Sequence, residues 1–482
     1  MGSADAAVVA IGGTAVRAMV ERARSVERAL YGTVAALIPP SADKLPLEAT
    51  SAYQPFDVIE AFNVGGVGPL AGRTLIPLVI LDDAHYLHPA QFKGLKLRLA
   101  RREMRVARWV LTRLDVLQPE EALEAATKDR SPPPPLPGVN AKRDITEITL
   151  QSAGHGEARR KNRLAFRYMA KDMADRYLRL MPIFSTRKLE KFSDLLTSDI
   201  EPLSATEFER LRTSTDSAQQ RLGVTDTRRA ALLAEVDRHL KGKGPDEVRL
   251  AMLLVLMHRY SKRIPQGELF GEPDPEPAKP VTADAAVVDA ACLRLFHEHR
   301  RPFFYGMDDL CDLATENAEQ FLHLAARLVD ESAANVIRSK RPSLDPAAQH
   351  RLLRLRAEEI YREWNFPNVQ EVKRLVENLG ERLLARSLEP NAPLGAGACA
   401  YGILQKEFDA IPGELPDLAR VLQYGVAYSA LTLVPYYNCK HEDWCLIELG
   451  GVPLLHFGLT LKRGGFVEGS ARELARVAVE AR

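Results

Sequence analysis

Cysteine is scarce in this chain: Cys292, Cys311, Cys399, Cys439 and Cys445 are the only ones in 482 residues. An odd, scattered set of thiols is no disulfide framework, and a reducing cytoplasmic setting is expected. An excess of one charge is missing too. Lys and Arg total 65 against 64 Asp and Glu, so bulk charge announces neither nucleic acid nor an acidic partner. No apolar run reaches the ~18–20 residues of a membrane span. The first residues do not combine a basic stretch, an apolar stretch and a cleavage site, so neither a signal peptide nor a membrane partner is expected. What is abundant is Ala, Arg and Leu, which favour helix over most of the chain. A chain of this length accommodates roughly two to four domains.

Against that helical background, Thr74 to Asp83 reads TLIPLVILDD. Five of the six residues from Ile76 to Leu81 are apolar, and two carboxylates follow at once. Helices on both faces of a parallel strand demand apolar side chains throughout, so the run predicts a buried parallel strand. Acids at the carboxyl end of such a strand stand where open α/β sheets bind ligands. An amphipathic helix is expected next, over Pro89 to Arg105. It leads into ARWVLTRLDVL, where Trp109 to Leu111 form a short apolar strand with Thr112 and Arg113 at its end.

An apolar strand ending in Asp-Asp, one helix, then a strand ending in Thr-Arg resembles the AAA+ and STAND-type P-loop ATPases. The layout is most similar to bacterial origin-recognition-complex-like ATPases, and the resemblance is specific over residues 56–150. It implies an α/β core (a partial P-loop NTPase parallel sheet), a mostly helical lid and a C-terminal winged-helix-like α+β domain. On the resemblance Asp82 is the Mg²⁺ ligand of a Walker B site, Asp83 the catalytic or water-orienting acid, and Thr112 and Arg113 sensor residues. ATP and Mg²⁺ are the implied cofactors. The implied function is a nucleotide-controlled switch or assembly factor, DNA-associated or within a multi-protein complex, in a defence or replication-linked setting.

The chain departs from that family at a decisive point. A Walker A loop, G-x-x-x-x-G-K-[ST], cradles phosphates with backbone N–H groups and supplies a Lys, and none of these 482 residues forms one. In GGVGPLAGRT, Gly65 to Thr74, Val67 stands where the first Gly belongs, Arg73 replaces the Lys, and the run leads into a strand rather than a helix. Gly12-Gly13 follows a short apolar run but has no Lys. Two readings follow. Either an upstream segment carries the loop, or the chain is an ATPase-derived scaffold, catalytically inactive, that uses the inherited shape for protein–protein contacts.

The expected organisation has three parts: a partial ATPase core over 1–150, a helical lid region over 151–335 with an internal linker near 271–280, and a winged-helix-like domain over 336–482. A helix over Ala15 to Ile38 stops at Pro39-Pro40. SPPPPLPG, Ser131 to Gly138, is a stiff connection. DITEITL, Asp144 to Leu150, alternates like a marginal strand. From Glu157 to Tyr260 the pattern is helical apart from a break at Pro182, and LAMLLVLMHRY reads as a central core helix. A second helical block runs from Ala283 to Ser332. There Glu316-Asn317-Ala318-Glu319 stands where the family shows Gly-Asn-x-Arg, and Phe321, Leu324 and Leu328 face a core. Further helices are expected over Asn368 to Arg386 and Asp417 to Ser429. Then LTLVPYYN, WCLIELGG and PLLHFGLTLKRGGF supply β-like runs.

The remaining chemistry has mostly structural readings. Cys439, His441 and Cys445 in CKHEDWC do not have a usual zinc spacing, with or without His456. His85 and His88 make a poor metal pair without a third ligand, and one of these polar rings is expected to pack beside the nucleotide pocket or to cap the helix. Two basic stretches, Lys93 to Arg108 and Arg159 to Arg167, are solvated helix faces that can also offer an arginine finger or track a phosphate backbone. The Lys462-Arg463-Gly464-Gly465 turn is placed like a wing, which makes Lys462 and Arg463 the expected nucleic-acid contacts. Other subunits or self-assembly, and DNA through the C-terminal domain, are the expected partners.

Overall fold

The computed structural model describes residues 14–36, 38, 40–41, 44, 62–63, 69, 71–76, 78–100, 106–127, 145–146, 148, 156–263, 280–390, 399–462 and 465–479. The described chain is mostly helical, with a small parallel sheet near the start and a second small sheet near the end. It divides into two compact units, one of residues 1–116 and 134–146, the other of 117–133 and 147–482.

In the first unit, helix α1 (Thr14–Val34) is followed by the short antiparallel pair β1 (Phe62–Asn63) and β2 (Thr74–Leu75). Then come β3 (Leu78–Leu81), helix α2 (Pro89–Leu99) and β4 (Ala107–Val110). Strands β3 and β4 are parallel, with Ile80 opposite Trp109 and Leu81 opposite Val110. Parallel strands need a crossover, and α2 is that crossover. The expectation of a strand buried on both faces fails. Ile80 is 51% and Trp109 60% exposed, whereas Val79, Leu81, Arg108 and Val110 on the opposite face are half-buried. A cover on one face only turns a continuous apolar run into an alternating one.

The second unit opens with α3 (Pro119–Thr127) and continues through α4 (Gly156–Leu180) and the short α5 (Pro182–Ser185). Helices α6 (Ala205–Leu222), α7 (Asp226–Leu240), α8 (Asp246–Arg263) and α9 (Ala285–His299) follow. Pro182 interrupts as expected, because the helix after it can begin with a residue that has no N–H to donate. Helix α8 is the predicted core helix: Ala251 to Met257 are all buried between α6, α7 and α9. Next stand α10 (Gly306–Leu313), α11 (Ala318–Ile337), α12 (Pro346–Glu363) and α13 (Val369–Ser387). Asn317 caps α11 by accepting the Gln320 N–H at 3.1 Å, and Phe321, Leu324 and Leu328 are buried behind it.

The C-terminal sheet has the order β6-β7-β5-β8. Its elements run β5 (Ala400–Leu404), α14 (Gln405–Glu414), α15 (Pro416–Ala427), β6 (Leu431–Cys439), β7 (Glu442–Leu449), α16 (Gly451–Phe457), β8 (Phe466–Glu468) and α17 (Ala471–Val479). All pairings are antiparallel except β5 with β8. Helices α13 and α14 pack on β5 and β7, while Ala400, Val434, Trp444 and Leu446 form an apolar cluster. The β-like reading of PLLHFG is corrected here: Gly451 to Phe457 is helical. Gly458, in the left-handed region at φ 69°, ends that helix, a role glycine takes without strain. The Asp144 to Leu150 strand is not formed at residues 145, 146 or 148, the ones described there. The Pro-rich stretch 131–138 and the linker at 271–279 lie outside the described residues.

Candidate functional site

The chemistry singled out in the sequence gathers at the carboxyl end of the β3–β4 pair. Hydrogen bonds extend the ladder past both strands: Leu111 N–H donates to the Leu81 carbonyl at 2.9 Å, and Ala84 N–H to the Leu111 carbonyl at 3.0 Å. Asp82-Asp83 and Thr112-Arg113 therefore leave neighbouring strands at the same edge. Asp83 sits at φ 53° and ψ 34°, the left-handed region that Asp tolerates better than most residues. This residue turns the chain off the strand into a single 3₁₀ turn, Ala84–Tyr86. The Asp82 side chain holds the turn, its Oδ1 accepting the Asp83 N–H at 2.9 Å. His85 Nδ1 lies 3.8 Å from Asp83 Oδ1, with its ring buried and the carboxylate exposed. Thr112 is exposed and its Oγ1 donates to the Arg113 carbonyl at 3.2 Å, whereas Arg113 is half-buried.

The carboxylate pair fits a Mg²⁺ ion, which takes hard oxygen donors from one or two carboxylates and completes its shell with water and phosphate. Among the described residues no phosphate cradle stands beside it. Gly72, at φ 73°, turns the chain directly into β2, with no helix between, so the backbone N–H groups of a helix start are not presented there.

The flanking residues have structural work. His88 caps α2: its Nδ1 accepts the Ala90 N–H at 3.2 Å, and Gln91 Oε1 accepts the His88 N–H at 3.0 Å. Lys96 lies over the Phe92 ring at 5.2 Å. Arg108 donates to the carbonyls of Leu99 and Val106. Arg101, Arg102 and Arg105 lie outside the described residues. Part of the second basic stretch is an ion-pair ladder, while Arg160 and Lys161 are exposed as a solvated face would have them. At four-residue steps on α4, Arg159 grips Glu448, Arg163 approaches Asp312 at 3.7 Å, and Arg167 pairs with Asp312 at 2.6 Å and Asp308 at 3.0 Å.

The Arg159–Glu448 pair was not foreseen. Arg159 donates from both terminal nitrogens, at 3.1 and 2.6 Å, to a carboxylate that is buried within β7. Burial pushes the Glu448 carboxyl above its usual range, and the attraction of Arg159 only partly offsets this. The signal was one acid inside the apolar run WCLIELGG.

The sheet's hairpin turns at Lys440 and His441, both at positive φ, between β6 and β7. A wing-like turn at Lys462 is therefore corrected: Lys462 lies between α16 and β8, exposed, with the charges of Asp289 and Asp309 in its surroundings. Arg463 lies outside the described residues. Cys445 is fully buried on β7 while His441 is exposed at the turn, and among the described residues no cluster of three or more metal-ligating side chains occurs. No family model, curated protein or solved structure matches this chain.

Proposed function

We propose that this chain is a nucleotide-responsive switch or assembly module of the AAA+/STAND type. The observation that carries the reading is the parallel β3–α2–β4 unit, which presents Asp82-Asp83 and Thr112-Arg113 side by side at one sheet edge. In such ATPases that edge holds the metal and reads the γ-phosphate. The long helical block after it supports a lid. The order α13–β5–α14–α15–β6–β7, with the sheet ordered β6-β7-β5, supports a winged-helix-like domain, because it is that motif's succession of helix, strand, helix, helix and hairpin.

The alternative, a scaffold for protein–protein contacts, is favoured by a specific feature of that domain. Helix α15 stands where a winged helix keeps its reading helix, and α3 packs on it. Its Gln423, a side chain suited to adenine, donates instead to the Leu117 carbonyl at 2.8 Å. Its exposed charges are Asp417 and Arg420, which pair with each other. Such a helix favours assembly with proteins over reading of base edges.

Binding of a fluorescent ATP analogue in Mg²⁺ separates the two readings. The switch reading expects saturable binding that Asp82→Asn weakens about tenfold or more, as loss of a metal ligand does. Hydrolysis should stay far below an ordinary ~1 s⁻¹, since phosphoryl transfer relies on a cradle and a Lys that this chain lacks. No binding at millimolar nucleotide leaves the scaffold. Fast turnover abolished by Asp83→Asn would overturn the scaffold instead.

A further inference from the structure

Helix α12 carries His350, Arg354 and Glu358 at four-residue steps, so the three share a face, with Arg351 and Leu355 beside them. His456 on α16 stands across from them, and these six residues border a groove of ≈ 330 Å³. That volume is at the lower end of those that take small ligands.

The hydrogen bonds show which groups are already used. His350 Nδ1 accepts the N–H of Phe304 at 3.2 Å and of Phe303 at 3.4 Å. An imidazole nitrogen that accepts carries no proton, so the proton sits on Nε2 and makes that atom a donor. Burial holds His350 down to about 4, which keeps the ring neutral in this role. Arg354 donates Nε to the Leu455 carbonyl at 3.2 Å and Nη2 to the His456 carbonyl at 3.0 Å, with its guanidinium 5.3 Å from the Phe296 ring centre. Closing the carboxyl end of α16 explains those two bonds and leaves Nη1 with no partner among the described residues. Arg351 is exposed and likewise has none among them. His456 stacks on Tyr361 at 4.7 Å and 15°, its ring nitrogens making no hydrogen bond among the described residues. The sole carboxylate of the lining, Glu358, accepts from Arg362 on the same helix.

We propose that this groove binds a phosphate-type oxyanion, held by Arg351, by Nη1 of Arg354 and by the Nε2–H of His350. Two guanidiniums and a neutral imidazole donor line the space, and the one carboxylate of the lining, Glu358, is drawn by one oxygen to Arg362. Charge-assisted bonds from Arg are the strongest that such a ligand can find. The phosphate belongs to a small phosphate ester or to a nucleic-acid backbone. The site does not depend on the nucleotide reading of Asp82 and Asp83.

The test is titration of the full chain with inorganic phosphate, followed by nitrogen-15 shifts of the His350 and His456 rings. Saturable shifts are expected, with affinity weakened about tenfold, the effect of losing one charge-assisted bond, in Arg351→Glu. That exposed residue leaves the thermal midpoint in place, so a loss of binding is not a loss of fold. Arg354→Lys keeps a charge but not the forked geometry, and should weaken binding again. A parallel titration with a short duplex assigns the source: a salt slope near one per site belongs to a single phosphate ester, a steeper slope to a nucleic-acid backbone. Absence of ring shifts at millimolar phosphate, or identical affinity in Arg351→Glu, would overturn the proposal.

Discussion

The β3–β4 pair and the β6-β7-β5-β8 sheet begin from similar sequence, apolar runs with an acid near the end, and finish in opposite states. In LVIL of β3 alternate residues are exposed. In EDWCLIEL of β7 every residue from Trp444 to Leu449 is buried. The difference lies in the cover, not in the strands. Helices α13 and α14 shelter one face of β7, and on the other face the Trp444–Leu446 cluster and the Arg159 clamp complete the burial. Apolar sequence states a capacity for burial, and the elements around it determine how much is used.

Removing Arg159 should expose that contrast most strongly. Arg159→Ala removes the two charge-assisted bonds to buried Glu448, and breaking a buried ion pair typically costs about 3–5 kcal/mol, read as a fall in chemical-denaturation stability at neutral pH. Because Glu448 already titrates above its usual range, the carboxyl can escape the penalty by taking a proton. The defect should therefore shrink as pH falls, and Glu448→Gln should be milder than Arg159→Ala. A matched pair of truncations comes next. Ile447→Ala in the covered sheet should cost about 2–5 kcal/mol. The same change at Ile80, half-open to solvent, should cost well under half of that, and equal losses would mean that the β3 face is covered in solution.

Acid should act on the helical core. Burial holds His258 and His350 down from 6.5 to about 4. Both stay neutral in the folded chain where the unfolded chain binds a proton, so their contribution is complete above pH 6.5 and is lost as pH falls toward 4. Asp309, pushed up to about 6 by burial, works in the opposite direction between its usual 3.8 and 6. Asp309→Asn removes that opposing contribution and should deepen the loss of stability in a melting series from pH 7 to pH 4. The smallest effect expected is at the α2 start, where His88→Ala removes a cap worth about 1 kcal/mol. Local hydrogen exchange over α2 should report it even where the global midpoint does not move.

Much of this was legible beforehand. The crossover of β3, α2 and β4, the acids at a strand end, the break at Pro182, the buried α8 and the β character of LTLVPYYN and WCLIELGG follow from local pattern, because each is fixed by neighbours in sequence. The errors share one cause. PLLHFG is apolar enough for a strand, yet Gly450 and Gly458 bound it at the two ends of a helix. The paired part of the basic run on α4 looked solvated because its acids, Asp308, Asp312 and Glu448, are far away in the chain. Lys462 resembles a wing in sequence because the hairpin turn, Lys440-His441, lies inside the Cys-His run CKHEDWC. The groove beside α12 gave no local signal at all, since His456 comes from a different helix.

Helix α3 raises a practical point about where the second unit begins. In sequence it precedes the proline-rich stretch and looks like the tail of the first part. In space it lies against α15 and β6, with Ala122 and Leu123 buried. A fragment cut at residue 156 would carry helices α4 to α13 and the C-terminal sheet, yet would lack this helix and show an apolar flank to water. Such a fragment should express poorly or aggregate, and one beginning before Leu117 should not. The same logic applies to inheritance: a recombination event that exchanged the first part of the chain would have to leave 117–127 behind, so the most obvious linker is not the seam between the two units.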